Sequence, residues 1–322
     1  MSESTVTPPP DRFNFAQHLL AANAARGDKP AFIDDEGALS YSRLDERVRR
    51  LAAALRELGL RREERVMLLM HDSADWPVAF LGAIYAGVVP VAVNTLLTAD
   101  DYAYMLENSR AQAVLVSGAL LPALNAAMTR CDHEVAKAIV SRPVAPLQPG
   151  EVEFEALLAA SAPLAKAAAT GSDDPAFWLY SSGSTGRPKG TVHSHANPYW
   201  TCELYGKALL QLNEDDVCFS AAKLFFAYGL GNALTFPLAV GATSLLMAER
   251  PTPDATFRRL TGGVAGIRPT VFFGAPTGFA GMLASPQLPE REQIALRLVS
   301  SAGEALPAEL GERFQARFGV EI

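Results

Sequence analysis

The 322-residue chain predicts an α/β fold of mostly parallel strands with helices on their faces. Three observations carry that expectation. Short, continuously apolar runs such as Val66, Met67, Leu68, Leu69 and Met70 alternate with longer segments whose apolar residues recur every three or four positions, and continuous apolar runs mark strands buried on both faces. The connections are short, with glycine or proline at many boundaries, as successive crossover units require. Hydrophobic residues make up 49% of the chain, enough for a large core, and the length allows one big unit or roughly two or three smaller ones.

Taken in order, residues 1–12 read as a disordered leader holding Pro8, Pro9 and Pro10, and 13–25 as a short amphipathic segment. Ser40 is placed to cap a helix whose apolar positions Leu44, Val48, Leu51, Leu55 and Leu58 step by four and three until Gly59 ends it. A strand over 66–70, a helix over 76–86 stopped by Gly87, a strand over 88–93, a helix over 100–108 and a strand over 113–116 follow. Residues 143–174, where prolines flank an alanine-rich patch, read as a surface connection. Beyond it come a strand over 176–180, an extended piece over 191–193 and a helix over 198–210, with Asn197 as cap and Pro198 at its first position. The alternation continues with a strand over 217–220, a helix over 231–240 closed by Gly241, and a strand over 242–246. A helix over 256–264, strands over 270–273 and 297–300, and a last helix over 307–318 complete the reading. There is no internal repeat.

Composition narrows the function classes. A net charge of -7, with acids and bases interspersed, argues against nucleic acid or an anionic membrane as partner. No apolar run reaches membrane-spanning length, and the N-terminus lacks the basic and apolar parts of a secretory signal. Cys131, Cys202 and Cys218 are odd in number and lack C-x-x-C spacing, so neither a disulfide framework nor a zinc site is expected, which fits the cytoplasm.

The stretch around which the rest is organised is 180–190, YSSGSTGRPKG. The apolar strand before it delivers a loop in which Gly183, Gly186 and Gly190 permit close backbone approach. Ser181, Ser182, Ser184 and Thr185 offer hydroxyls, and Lys189 supplies a mobile point charge. That mixture suits phosphate oxygens. It is not a P-loop, because Pro188 precedes the lysine and Gly190 follows it, and no G-x-G-x-x-G is present. A flexible Ser/Gly linker accounts for the hydroxyls and glycines but not for the embedded Arg187, Pro188 and Lys189 or the strand leading in.

Residues 180–190 resemble the signature loop of the acyl-adenylate-forming enzymes, the acyl-CoA and aryl-CoA synthetases and their relatives. The resemblance extends to 39–44 (LSYSRL), 82–91 (GAIYAGVVPV) and 301–306 (SAGEAL), covering nearly the whole chain. Within the family, 222–232 (AKLFFAYGLGN) is most similar to the benzoate-CoA ligases.

The resemblance implies stacked, mostly parallel sheets with helices on their faces, forming the large N-terminal domain over 13–322 and cut short at the C-terminus. A small lysine-bearing C-terminal domain is expected to dock on it. ATP, Mg²⁺ and CoA are the implied cofactors, and an aromatic carboxylic acid the implied substrate, adenylated and then passed to the CoA thiol. Ser181, Ser182, Gly183, Ser184, Thr185, Gly186 and Lys189 would hold the ATP phosphates, with Lys189 and Thr185 acting in the chemistry. Ser301, Ala302, Gly303, Glu304 and Ala305 would meet adenine, and Phe226, Ala227, Tyr228, Gly229, Ala302 and Gly303 the acid.

On residue types alone, that aromatic cluster is equally core packing or a pocket. Lys223 faces either the acid's carboxylate or solvent, and both stay open. His193 and His195 lack acid or cysteine companions, so solvent or core roles are preferred to metal binding. Glu304 is only a weak Mg²⁺ contact, and no metal ligand is assigned. Three readings stay open: a benzoate-CoA ligase, an adenylating enzyme for another acid or a carrier protein, and a non-catalytic nucleotide-binding module.

Overall fold

The computed structural model describes residues 6–181 and 187–322. Among them, thirteen strands run in chain order: β1 (Pro30–Ile33), β2 (Ala38–Ser40), β3 (Arg65–Leu69), β4 (Val89–Ala92), β5 (Ala113–Ser117), β6 (Lys137–Ser141), β7 (Glu151–Glu153), β8 (Pro175–Ser181), β9 (Lys189–Ser194), β10 (Val217–Ser220), β11 (Thr243–Leu245), β12 (Val271–Gly274) and β13 (Leu298–Ser301). They form two mostly parallel sheets in two compact units. One unit holds the described residues up to Ala24 with Ser42–His71 and Asp75–Trp200; the other holds Ala25–Tyr41, Asp72–Ala74 and Thr201–Ile322.

In the first unit the sheet order is β7-β6-β5-β3-β4-β8-β9, parallel except for the antiparallel pair β8 and β9 at one edge. Because side chains alternate along a strand, Met67, Leu69, Val91, Val114, Val116, Ala138 and Val140 share one face. The helices Ala99–Ser109 and Leu121–Met128 cover that face with Tyr102, Met105, Leu106 and Leu124. Helix Ala99–Ser109 is fixed at its start by a capping box, Asp101 N–H donating to Thr98 Oγ1 and Thr98 N–H to Asp101 Oδ2.

In the second unit the order is β13-β12-β10-β11-β1-β2, and only β1 with β2 is antiparallel. Helices Pro253–Leu260, Pro276–Ala284 and Ala308–Phe318 bury Phe257, Phe279 and Phe314 against Phe219, Phe272 and Val299. Phe279 is edge-on to both Phe272 and Phe314, with centroids 5.7 and 5.1 Å away.

The structure bears out the α/β expectation and changes several elements. Residues 143–174 are not merely a surface connection: β7 and the helix Phe154–Ala160 lie within them, and Phe154 and Leu158 are buried. A three-residue strand is too short for periodicity to reveal. The hairpin of β1 and β2, strand β6 and the helix Pro276–Ala284 add to the elements expected from the sequence. The helix placed at 198–210 starts at Ala196 and continues as a π-helical stretch Cys202–Lys207, while Asn197 uses its Oδ1 to accept from Ser194 N–H. The helix placed at 231–240 begins earlier, running through Ala227–Leu230, the π-helical Gly231–Thr235 and Phe236–Val240. Among the described residues no helix is long and apolar enough to cross a membrane.

Candidate functional site

In the first unit, the candidate phosphate loop joins β8 to the edge strand β9. Their register sets Tyr180 opposite Gly190 and Ser181 opposite Lys189, so the pairing closes the base of the loop. Ser181 and Lys189 are both exposed there. Ser182, Gly183, Ser184, Thr185 and Gly186 lie outside the described residues. Gly190 faces the Trp178 ring so closely that an added Cβ would stand 3.1 Å from it. Tyr180 Oη donates to Asn108 Oδ1 at 2.8 Å, and burial raises its pKa. On the outgoing side, Tyr104 Oη donates to the Pro188 carbonyl at 3.1 Å and the Arg187 guanidinium lies 5.2 Å from the Tyr104 ring centroid.

The two histidines part company. His193 stacks on Phe177 with centroids 4.7 Å apart. His195 is buried and its Nδ1 accepts from Phe15 N–H at 3.1 Å; burial lowers its pKa to about 4, leaving it a neutral acceptor.

In the second unit, the neighbouring parallel strands β10, β12 and β13 end at Ser220, Gly274 and Ser301, and residues 222–229 and 301–305 leave from that carboxyl edge. This is where open α/β sheets place ligands. The structure brings the two segments together. Tyr228 Oη donates to the Ser300 carbonyl at 3.1 Å, and its ring stands edge-on to Phe273 at 6.3 Å. Burial pushes the Tyr228 hydroxyl up to about 12, so it remains a neutral donor. Phe226 and Ala227 are exposed at the start of the helix, and Phe226 rests on Phe225 at 4.5 Å. Ala302 N–H donates to the Gly274 carbonyl at 3.3 Å.

Gly229 stands apart from the surface. It is buried, and a Cβ there would lie 2.0 Å from the Lys223 carbonyl oxygen and 2.5 Å from its carbon. Its hydrogen is needed for backbone packing. Gly303 has φ +97°, a conformation suited to glycine, with nothing within 4 Å of an added Cβ. Ser301 Oγ is buried without a hydrogen-bond partner among the described residues. Glu304 and Ala305 are exposed, and Glu304 Oε1 accepts from Thr277 Oγ1 at 2.6 Å.

Lys223 is held by the protein itself. Its ammonium donates to the carbonyls of Met247 and Glu249, the latter at 2.6 Å, and burial lowers its pKa. Asp72, fully buried, accepts from Leu224 N–H at 3.2 Å; burial raises its pKa to about 7, opposed by Lys223. Asp72, Thr277, Tyr104 and Asn108 carried no sequence signal, since each acts through a partner distant in the chain. Among the described residues no group of three His, Cys, Asp or Glu could hold a metal ion, and Glu304 is engaged by Thr277.

The class follows from the fold and the family comparison: the profile of the AMP-binding enzyme family matches residues 19–322, and the chain belongs to that family. It is 50% identical over its whole length to the benzoate–CoA ligase of Thauera aromatica, covering 60% of that protein. A crystallised benzoate CoA ligase from Burkholderia xenovorans LB400 is 58% identical, with a TM-score of 0.88 over 96% of this chain and 60% of that one. The anthranilate CoA ligase AuaEII, crystallised with anthranoyl-AMP, is 31% identical with a TM-score of 0.91 over 97% of this chain and 59% of that one. The chain thus spans about 60% of the length of these relatives.

Proposed function

We propose that the protein is a benzoate-CoA ligase acting through benzoyl-adenylate. The observation that carries this reading is the bond from Tyr228 to the Ser300 carbonyl. It gathers the aromatic segment 226–229 and the small-residue segment 301–303 at one sheet edge and turns the phenol's polar end into the protein. What remains toward a ligand is ring edge, Ala227 and Ala302, a lining suited to a flat apolar ring. No aspartate lies in 224–231 to pair with an amino acid's ammonium. The similarity to two benzoate-CoA ligases supports the same acid.

In the first step, an oxygen of the benzoate carboxylate bonds to the α-phosphorus of ATP while the bond to the bridging oxygen breaks, and pyrophosphate leaves. In the second, the CoA thiolate adds to the acyl carbon and AMP departs with its electron pair. Both steps relocate negative charge, so catalysis consists of alignment and charge compensation. Lys189 brings positive charge to the loop's closing strand, and Ser181, Ser182, Ser184 and Thr185 bring hydroxyl donors. Backbone around Ala302 and Gly303 meets adenine, with Ser301 Oγ a free donor there. Mg²⁺ would neutralise the phosphates. The described residues do not form a protein cage for it.

The test is exchange of labelled pyrophosphate into ATP by the protein with a panel of acids. Benzoate is expected to support exchange above aliphatic acids and amino acids; exchange driven by those and not by benzoate overturns the reading.

A further inference from the structure

Both described ends of the candidate phosphate loop are tied to a single helix. Tyr104 and Asn108 stand four residues apart on Ala99–Ser109 and therefore share one face, one turn apart. Asn108 Oδ1 accepts from Tyr180 Oη at 2.8 Å, one residue before Ser181 on the ingoing strand. Tyr104 Oη donates to the carbonyl of Pro188 at 3.1 Å, one residue before Lys189 on the outgoing strand, and its ring carries the Arg187 guanidinium. The helix is a rigid base. Its first turn is locked by the Thr98 and Asp101 capping box, Tyr102 Oη donates to the Asn94 carbonyl at 2.9 Å, and Met105 and Leu106 are fully buried.

We infer that Tyr104 and Asn108 are positioning residues for nucleotide binding: they clamp the two strand ends that deliver Ser181 and Lys189, setting the width of the loop's base. The inference rests on the reading of 181–189 as the phosphate-binding loop. The edge position of β9 explains the need for such ties, because among the described residues this strand is paired on one side only and Lys189 at its start is exposed. A lysine used as a point charge must be held where the phosphates are, and a side chain with four rotatable carbons depends on its backbone for that. Ladder bonds fix β9 along β8, whereas the helix fixes the pair across its open end.

The experiment measures ATP affinity of the full chain by calorimetry for wild type, Lys189→Ala, Tyr104→Phe, Asn108→Ala and the double variant, with benzoate affinity and thermal melting in parallel. Tyr104→Phe keeps the ring under Arg187 and removes only the bond to Pro188. It is expected to weaken ATP about three- to tenfold, the range of one hydrogen bond, with benzoate affinity and melting temperature unchanged. Asn108→Ala should act similarly, and Asn108→Gln, which keeps an acceptor, should recover part of the loss. ATP affinity unchanged in Tyr104→Phe and Asn108→Ala, while Lys189→Ala loses it, overturns the clamp and leaves the phosphate-loop reading standing. Wild type and Lys189→Ala binding ATP alike overturns both.

Discussion

Tyr228 donates its phenol hydrogen to the carbonyl of Ser300, 72 residues along the chain and two residues before Ala302. If the acid lies at this sheet edge, as proposed, that bond holds the polar end of the ring away from it and Ala227 and Ala302 limit its size. Ala302→Leu is expected to lower kcat/KM for benzoate at least about tenfold, ~1.4 kcal/mol, with short aliphatic acids losing less, since a rigid aryl acid cannot bend away. Tyr228→Ala should weaken benzoate by about 1–3 kcal/mol and favour ring-substituted analogues. Steady-state kinetics across an acid panel checks both, and an unaltered acid preference in both variants refutes the pocket.

Gly229 and Gly303 call for opposite outcomes. At Gly229 a methyl group meets the Lys223 carbonyl, a backbone atom that cannot swing aside, so Gly229→Ala is expected to cost about 3 kcal/mol or more. At Gly303 the same methyl finds open space and suffers only the positive φ, about 1 kcal/mol. Chemical denaturation of the two variants ranks them, and equal stability would show that the 222–229 turn relaxes freely.

Lys189→Ala is expected to weaken ATP by about 1.5–3 kcal/mol, the value of a charge-assisted contact to phosphate, while benzoate affinity holds. Isothermal titration with each ligand separates the two effects; an intact ATP affinity excludes Lys189 from phosphate binding.

His195 gives the fold an acid-sensitive point. Burial lowers its pKa from 6.5 to about 4, and only the neutral ring accepts from Phe15 N–H. Between those values the unfolded chain binds the extra proton, so this contribution is full above about pH 6.5 and is lost as pH falls toward 4, of order 3 kcal/mol in all. His195→Gln keeps an acceptor without that titration. Denaturant midpoints at pH 7 and 4.5 should therefore fall further for wild type than for the variant; parallel losses would rule out His195 as the cause.

What the sequence disclosed and withheld follows from how far each interaction reaches. Strands β3, β4, β5, β10 and β12 were legible because burial on both faces makes them continuously apolar, and the loop at 181–189 because its glycines, hydroxyls and lysine are contiguous. The hairpin of β1 and β2 stayed hidden in three- and four-residue pieces. Within the candidate acid segment, residue types pointed to Gly229 and Tyr228 alike, yet only packing separates a glycine pressed against the Lys223 carbonyl from a tyrosine at the mouth. Lys223 itself was undecidable, since the carbonyls of Met247 and Glu249 that hold it lie over twenty residues away. Tyr104 and Asn108 could be seen to share a helix face but not to meet Pro188 and Tyr180.

The outermost place of β9 gives Lys189 a second duty. An unpaired strand border invites another chain to add itself, and charged side chains are among the features that discourage it. Lys189, Thr191 and Val192 are exposed along β9, and Lys189 is its first residue and its only lysine or arginine. Neutralising this lysine thus strips a guard against self-association from the same border that carries the proposed phosphate loop.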